Sequence, residues 1–328
     1  MIPALVLTAG LATRLRPLSL VRAKAALPVG AAPLAARILR DLAAQGVTEA
    51  VLNLHHLPAS LTSRIGDGAG LGVRVRYSWE SPAVLGSAGG IRHALPLMGA
   101  SRFLVVNGDT LTNVALGPLL DAHVRSGALV TLAVIPNTMP QRYGGILTNP
   151  DGTFLGTVGP GSATPSHHFV GVQVVEAAAL AAMADGVPEE SIRTVYPQLV
   201  AVNPRAVRVH SCAATFLDIG TPTDYVQTCR ALSESHDANF LERGARVQRH
   251  PTAHVVDTVA WDAVTIAESA TVTRSILTDG VTIPAGTTWD SVIIRRATAD
   301  LMPSEHRVGQ LAVSALRSEE HTFELQSH

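Results

Sequence analysis

The sequence predicts an α/β protein in which a doubly wound, mostly parallel sheet is followed by a short parallel β-helix. Two observations lead to this prediction. In the first half of the chain, apolar runs of strand length alternate with segments of helical periodicity. After about residue 247, small and β-branched apolar residues recur at intervals of six, without any helical period.

The first half supplies the parallel part of the sheet. Strand, helix and strand in alternation favour parallel pairing, and ligands of such sheets bind at the carboxyl ends of the strands. We therefore expect the functional loops to follow residues 9, 54, 78 and 107. Strands are predicted at 4–9, 49–54, 73–78, 102–107 and 128–135, and helices at 33–46, 58–65, 90–98 and 115–126.

From residue 143 the pattern becomes mixed. A hairpin is predicted over 143–158, because Asn149-Pro150-Asp151-Gly152 is a turn sequence between apolar runs. A helix should begin at Thr221, with proline next and an acid in the first turn. Further strands are predicted at 169–176, 206–210 and 215–219, and helices at 177–184 and 189–201.

The β-helix prediction depends on six-residue spacing of apolar residues. Such spacing is typical of parallel β-helices, in which every coil buries equivalent positions. A few edge strands are the alternative. The spaced pairs are Val264 with Ala270, Ile266 with Val272, and Ile283 with Trp289.

Composition excludes several classes of protein. The chain has 328 residues, a formal net charge of −1 and 47% hydrophobic residues, so it has no global field for nucleic acid and too much apolar content for disorder. No apolar run approaches the roughly 18 residues of a membrane span. Two cysteines make no disulfide framework, and the first residues do not read as a signal peptide. We expect a cytoplasmic protein, as a possible homo-oligomer, that binds neither nucleic acid nor membrane.

The last twelve residues, 317–328, read RSEEHTFELQSH. They closely resemble the translation of a common sequencing-library adapter. We therefore expect them to be an artefact of sequence assembly, outside the fold.

The strongest motif lies at residues 5–29, LVLTAGLATRLRPLSLVRAKAALPV. A buried strand ends in a loop of small residues, whose N–H groups can hold phosphate oxygens. Four cations follow, which favours a polyphosphate site, although a basic surface loop would show the same spacing. Neither GxGxxG nor GxxxxGK[ST] is present. The cations are Arg14, Arg16, Arg22 and Lys24, and Lys24 is the only lysine in the chain.

This segment resembles the signature of the sugar-1-phosphate nucleotidyltransferases, roughly LAGGxGTRLxPLTxxxPKxLLPV. The resemblance implies a Rossmann-like, GT-A-like catalytic domain over residues 1–235 and a short left-handed parallel β-helix over 247–300. The chain departs from the signature at a few positions. Ala12 replaces a glycine, which would crowd the loop if the position needs a positive φ, and Ala23 replaces the proline before Lys24.

The resemblance also implies the site residues. Arg14 and Lys24 would be catalytic, and Asp109 and Asp218 would hold Mg²⁺, a hard cation suited to carboxylates and phosphates. Taken singly, each aspartate could instead be a strand-end or helix-capping acid. Gly144 and Gly171 would lie at the sugar. The nucleotide-binding residues would be Leu7, Ala9, Gly10, Leu11, Thr13, Glu80, Gly86, Ser87 and Asn107.

Glu80 bears on the choice of nucleotide. A carboxylate only accepts hydrogen bonds, and guanine offers an N–H and an NH₂ side by side, so Glu80 at the base edge favours GTP, then UTP, then ATP. Alternatively, Glu80 is a solvated acid at a strand end. The family's Glu-Lys-Pro sugar clamp is missing, with GPGSATPSHH at 159–168 in its place, so the sugar stays open. The histidine pairs at 55–56 and 167–168 are assigned no role.

The expected reaction transfers a nucleotidyl group from a nucleoside triphosphate to a sugar 1-phosphate and releases pyrophosphate. Mannose- or heptose-1-phosphate guanylyl transfer is the first choice, and N-acetylmuramate-1-phosphate uridylyl transfer is the alternative. A non-catalytic, nucleotide-sugar-binding regulatory subunit is the alternative from another class. An acyltransferase built on the β-helix is disfavoured, because no histidine there has a catalytic context.

Overall fold

A computed structural model of the chain describes residues 2–233 and 239–316. The predicted adapter segment, 317–328, lies outside the described residues. The α-helices are α1 (Leu34–Ala44), α2 (Pro58–Ile65), α3 (Gly86–Met98), α4 (Leu116–Ser126), α5 (Tyr196–Val202) and α6 (Pro222–Leu232). The strands up to residue 218 are β1 (Ala4–Leu7), β2 (Pro28–Val29), β3 (Ala32–Pro33), β4 (Glu49–Leu54), β5 (Arg74–Trp79), β6 (Arg102–Asn107), β7 (Thr110–Thr112), β8 (Val130–Pro136), β9 (Gly145–Thr148), β10 (Phe154–Val158), β11 (His167–Glu176), β12 (Val207–Ser211) and β13 (Phe216–Asp218). Those after it are β14 (Phe240–Arg243), β15 (Gln248–Arg249), β16 (His254–Val256), β17 (Thr258–Ala260), β18 (Thr265–Ile266), β19 (Thr271–Thr273), β20 (Ile276–Leu277), β21 (Thr282–Ile283), β22 (Thr288–Asp290), β23 (Val292–Arg296), β24 (His306–Val308) and β25 (Leu311–Ala315).

The chain forms two compact units. The first contains residues up to Leu11 and Ala35–Leu217, and the second contains Ala12–Leu34 and the described residues from Asp218 onward. This division differs from the predicted boundary between residues 235 and 247. The cation-rich segment after β1 and helix α6 group with the β-helix, through contacts that join residues far apart in sequence.

A nine-stranded sheet forms the centre of the first unit, and it confirms the predicted α/β class. The order β10-β9-β11-β6-β1-β4-β5 includes the parallel run β6-β1-β4-β5, while β11 is antiparallel to β6 and pairs also with β8. Buried side chains such as Leu5, Phe103 and Ile91 form its core. No helix among the described residues is long and apolar enough to cross a membrane.

The parallel strands end at one edge of this sheet. Leu7 of β1 is in register with Asn107 of β6, and Leu54 of β4 with Trp79 of β5. The loops after these four strands are therefore neighbours, as predicted for the functional edge. Elsewhere one predicted helix, 177–184, is wrong in extent, because only a 3₁₀ turn over Ala177–Leu180 forms.

The second unit contains the predicted β-helix. Its short strands stack in parallel with a repeat of 17 residues, so that Val255 pairs with Val272 and Val272 with Trp289. The spaced residues Val264, Ile266, Ala270, Val272 and Ile283 are all buried, as the six-residue pattern predicted.

The corners of the coils use left-handed backbone at repeating positions. Each corner position returns after one 17-residue coil, so the left-handed residue marks the same turn in successive coils. The three series are Arg246, Ala263 and Gly280; Asp257, Arg274 and Ser291; and Ser269 and Gly286.

Candidate active site

In the first unit, the loop after β1 is tied to the end of β4 by Asn53. The side-chain oxygen of Asn53 accepts hydrogen bonds from the backbone N–H groups of Thr8 (2.5 Å) and Ala9 (3.3 Å). The hydroxyl of Thr8 donates to the backbone oxygen of Asn53. The N–H of Ala9, predicted to bind phosphate, is thus already engaged within the protein. Gly10 and Leu11, the next residues, are exposed, so a phosphate can approach the loop there.

Glu80, just after β5, is buried and holds Asn53 in place. One of its carboxylate oxygens accepts a hydrogen bond from the Asn53 amide (2.7 Å), and the other accepts one from the backbone N–H of Leu85 (2.7 Å). Only 4% of Glu80 is exposed. Because Glu80 is almost fully buried and each of its oxygens already accepts a hydrogen bond within the protein, the arrangement does not itself support the contact with a nucleobase edge, which stays a prediction. The arrangement fixes which way the Asn53 amide faces.

Gly90 of α3 allows this close packing. A Cβ at residue 90 would lie 2.6 Å from Oε1 of Glu80 and 2.9 Å from the Asn53 amide nitrogen. Since such distances are sterically excluded, glycine is required where the helix passes the Asn53–Glu80 pair.

The start of α3 packs against the segment at residues 187–191. The hydroxyl of Ser87 donates to a carboxylate oxygen of Glu190 (2.9 Å) and accepts from the N–H of Ser191 (2.8 Å). Gly86 has a φ of 69°, and a Cβ there would lie 2.6 Å from the backbone oxygen of Glu189. Gly86 and Ser87 were predicted to contact the nucleotide. In the structure, this glycine-rich stretch lets two backbone segments approach each other, and the nucleotide contact stays a prediction.

The turn after β6 is held against the end of β1. The N–H of Gly108 donates to the backbone oxygen of Leu7 (2.9 Å), and a Cβ at residue 108 would lie 2.6 Å from that oxygen. Asn107 lies beside Gly171, where a Cβ would come within 3.0 Å of the Cβ of Asn107. The predicted residues Leu7, Asn107, Asp109 and Gly171 therefore share one end of the sheet, and Asp109 follows directly from this turn.

An aromatic cluster of Tyr143, His168 and Phe216 lies near the predicted sugar residues. Ring centroids are 4.6 Å apart for Tyr143 and His168 and 4.3 Å for His168 and Phe216. Neither ring nitrogen of His168 makes a hydrogen bond to the described residues, and burial lowers the pKa of His168, so the ring is neutral near pH 7. Gly144 follows Tyr143 and packs against the backbone at Val158. The sequence analysis gave His168 no role, because a pair of adjacent histidines does not by itself indicate a functional site.

In the second unit, the cation-rich segment is built from short 3₁₀ turns over Thr13–Leu15, Leu18–Leu20 and Lys24–Ala26. Ala12 has φ 47° and ψ 49°, so the position does require the left-handed conformation that glycine takes without strain. The oxygen of Ala12 accepts hydrogen bonds from the Ser19 hydroxyl (2.8 Å) and the Leu15 N–H (3.0 Å). Thr13 and Arg14 are exposed and Lys24 is half-buried.

Arg22 differs from the other cations of this segment. Only 2% of it is exposed, and its guanidinium pairs with the carboxylates of Asp262 and Asp279. The position of Arg22 in the motif predicted a cation that faces a polyphosphate. In the structure, Arg22 is instead buried and paired with two carboxylates.

Asp218 precedes the N-terminus of α6. The predicted helix start at Thr221 is confirmed: its hydroxyl accepts from the N–H of Asp224 (3.2 Å), and the Asp224 carboxylate accepts from the N–H of Thr221 (2.9 Å). Because this capping box employs Asp224, the half-buried Asp218 is distinct from the helix cap. A Cβ at Gly220 would lie 3.0 Å from Oδ2 of Asp218, so the glycine lets the chain turn closely around this carboxylate.

Asp109 follows the turn after the buried strand β6, and Asp218 is the last residue of the half-buried strand β13. Each carboxylate suits a hard cation such as Mg²⁺. Among the described residues, no group of three or more histidine, cysteine, aspartate or glutamate side chains could hold a metal ion. A donor set of one or two carboxylates matches Mg²⁺ that retains water and takes substrate phosphates as its other ligands.

Comparison with known proteins finds similarity to enzymes that are named as nucleotidyltransferases. A family model described as nucleotidyl transferase matches residues 3–160. The chain is 28% identical over 295 residues to mannose-1-phosphate guanylyltransferase of Mycobacterium tuberculosis, in an alignment that covers 87% of this chain and 82% of that protein. It is 43% identical over 111 residues to N-acetylmuramate alpha-1-phosphate uridylyltransferase of Neisseria meningitidis, covering 34% of this chain and 48% of that protein.

Solved structures show the same fold. HddC from Yersinia pseudotuberculosis superposes with a TM-score of 0.63 at 21% identity, covering 70% of this chain and 99% of that one. A structure of HddC complexed with GMP-PN gives a TM-score of 0.61 at the same identity and coverage. A putative glucose-1-phosphate thymidylyltransferase from Bacillus anthracis gives 0.63 at 16% identity, covering 72% of this chain and 97% of that one.

Proposed function

This chain belongs to the sugar-1-phosphate nucleotidyltransferase family, and we propose that it is a guanylyltransferase that uses GTP and mannose 1-phosphate or a heptose 1-phosphate. The observation that carries nucleotidyl transfer in this proposal is the sheet edge at which the loop after β1 meets the turn before Asp109. The hydrogen bond from Gly108 to Leu7 holds together a loop suited to phosphates and a carboxylate suited to a phosphate-bound metal.

In the proposed reaction, a phosphate oxygen of the sugar 1-phosphate attacks the α-phosphorus of the triphosphate. A new P–O bond forms as the bond from the α-phosphorus to the oxygen bridging to the β-phosphorus breaks, and pyrophosphate leaves with that electron pair. No covalent enzyme intermediate is needed, so positioning and charge stabilisation supply the catalysis.

The cations of the second unit have distinct roles in this scheme. Arg14, whose planar guanidinium can bind two phosphate oxygens at once, stabilises the charge on the leaving pyrophosphate. Lys24, a point charge on a flexible stem, holds the sugar phosphate near the α-phosphorus. Asp109 and Asp218 would hold Mg²⁺, which when bound offsets the negative charge of the phosphates.

The preference for guanine no longer depends on Glu80, because this residue is buried and hydrogen-bonded within the protein. What supports guanine is similarity along most of the chain to a relative named as a guanylyltransferase. The alternative, uridylyl transfer to N-acetylmuramate 1-phosphate, is favoured by the higher identity, over about a third of the chain, to enzymes of that name.

A pyrophosphate-release assay that crosses GTP, UTP, ATP and dTTP with mannose, heptose, glucose and N-acetylmuramate 1-phosphates tests the proposal. We expect the highest kcat/KM with GTP and mannose or heptose 1-phosphate. A higher value with UTP and N-acetylmuramate 1-phosphate would replace the proposal with the alternative. No turnover with retained nucleotide binding would favour a regulatory subunit.

Matched variants test the catalytic roles. Lys24→Ala should remove most of the turnover while the protein still folds. Arg16→Ala is the control, because Arg16 is an exposed cation in the same segment at a position the signature leaves open. Equal activity of the Lys24→Ala and Arg16→Ala variants would contradict the role of Lys24.

A further inference from the structure

Arg22, two residues before Lys24, is anchored to two successive coils of the β-helix. Its Nε lies 2.7 Å from Oδ2 of Asp279, its Nη2 lies 2.6 Å from Oδ2 of Asp262, and Nη2 also contacts Oδ1 of Asp279. The guanidinium carbon is 4.9 Å from the ring centroid of the fully buried Trp261. Planar bidentate pairing and stacking on an aromatic ring are what a guanidinium provides and an ammonium does not.

The two carboxylates occupy equivalent positions in the repeat. Asp262 and Asp279 are separated by one 17-residue coil, and the N–H of Asp262 donates to Oδ1 of Asp279 (3.1 Å). Both side chains are about 30% exposed, whereas the Arg22 that they bind is buried. The β-helix therefore provides two carboxylates, one from each of two successive coils, that accept hydrogen bonds from a single buried guanidinium of the segment 5–29.

A second anchor follows Lys24. The backbone oxygen of Pro28 accepts a hydrogen bond from the hydroxyl of Tyr225 (2.7 Å), and that hydroxyl accepts one from the indole N–H of Trp261 (3.0 Å). The N–H of Ala31 donates to both carboxylate oxygens of Glu242 (2.9 and 3.1 Å). Trp261 thus contributes to both anchors, and the segment that carries Lys24 is fixed on either side.

We propose that the β-helix positions Lys24, with Arg22, Asp262 and Asp279 as positioning residues for nucleotidyl transfer. The proposal rests on the function proposed above. None of the three side chains needs to touch substrate, because they act by fixing the backbone from which Lys24 extends. A shift of about 1 Å in a catalytic group can cost about 100-fold in rate.

Replacing the anchoring carboxylates tests this proposal kinetically. Asp279→Asn, and more mildly Asp262→Asn, should lower kcat about 10- to 100-fold, while the equilibrium Kd for the nucleoside triphosphate changes less than twofold. Asp290→Asn is the matched control, since Asp290 pairs with the exposed Arg274 on the same solenoid. Its kcat should equal that of the parent protein. A kcat for Asp279→Asn equal to the control at a temperature where both are folded would overturn the proposal.

The single lysine allows a second measurement that does not depend on activity. Labelling lysine with ¹³C only at Cε gives one side-chain carbon resonance per molecule, which belongs to Lys24. We expect this resonance to shift or broaden in Asp279→Asn and to stay unchanged in Asp290→Asn. An unchanged resonance in Asp279→Asn would refute the anchoring. If the parent protein releases no pyrophosphate but the resonance moves as expected, the proposed function fails while the anchoring stands.

Discussion

Replacing Glu80 with glutamine distinguishes a positioning role from nucleobase recognition. The carboxylate of Glu80 accepts one hydrogen bond from the Asn53 amide and one from the Leu85 N–H, both at 2.7 Å. Glutamine has a single acceptor oxygen, so its NH₂ group would face one of these two donors. The Asn53 amide would then lose its fixed orientation, and with it the acceptor for the N–H groups of Thr8 and Ala9.

The expected loss in the free energy of unfolding follows from the burial of Glu80. Losing one charge-assisted hydrogen bond costs about 1.5–3 kcal/mol, and a buried donor left without an acceptor adds at least about 1 kcal/mol. We therefore expect Glu80→Gln to lower the free energy of unfolding by about 2–4 kcal/mol. With a urea dependence of about 2 kcal/mol/M, the unfolding midpoint should fall by roughly 1–2 M.

The accompanying assay measures kcat/KM for GTP and UTP. A positioning residue lowers both values together, because the phosphate-binding loop is common to both substrates. Glu49→Gln is the control, since Glu49 is a partly exposed carboxylate that pairs with Arg74 and Arg76 and is worth at most about 1 kcal/mol. If Glu80→Gln keeps its unfolding midpoint but changes the ratio of GTP to UTP turnover, Glu80 reads the base and our interpretation is wrong.

Three further outcomes follow from single positions. Gly171→Ala should reduce both stability, by about 1–3 kcal/mol, and turnover in the pyrophosphate assay, because φ is 83° and the new Cβ would lie 2.7 Å from the Thr110 hydroxyl oxygen. Ala12→Gly should raise the free energy of unfolding by about 0.5–1 kcal/mol, because relief of left-handed strain exceeds the added freedom of the unfolded chain; a lower urea midpoint would contradict this. Burial lowers the pKa of His123 below 6.5, so the unfolded state binds more protons and stability falls as pH decreases through about 6.5; His123→Gln should show a smaller drop in urea midpoint between pH 7.5 and 5.5 than the parent protein.

Short-range sequence patterns predicted the strands and the helix start that position the site. Strand length and hydrophobic period placed the ends of β4 and β6 at Leu54 and Asn107, where the structure has them. The capping signal at Thr221 and the six-residue repeat were also confirmed, since each reflects interactions within a few residues of sequence. Features of this kind are visible in a sequence because the residues that cause them are neighbours in it.

The partners of individual side chains could not be predicted in this way. Arg22 looked like a phosphate ligand beside Lys24, yet its partner Asp262 lies 240 residues away. Ser87 was predicted only as a nucleotide contact, and nothing local indicated its hydrogen bond to Ser191, 104 residues away. Asn53 was missed altogether, although a polar residue within the buried strand β4 was an available signal. In each case the side chain's role depends on which distant segment packs against it.

At Ala23, contacts with distant segments can replace the backbone restriction that a proline would provide locally. The family signature has proline before the lysine, and proline fixes φ near −65°. Ala23 has φ −55° and ψ 144°, so its φ lies in the range to which proline would restrict it. Alanine alone does not restrict the chain to that conformation, so the restriction has to come from elsewhere. The preceding residue, Arg22, is buried against the solenoid, and Pro28 is bonded to Tyr225. Long-range anchoring thus maintains the backbone that carries Lys24, which explains how the signature tolerates alanine at this position.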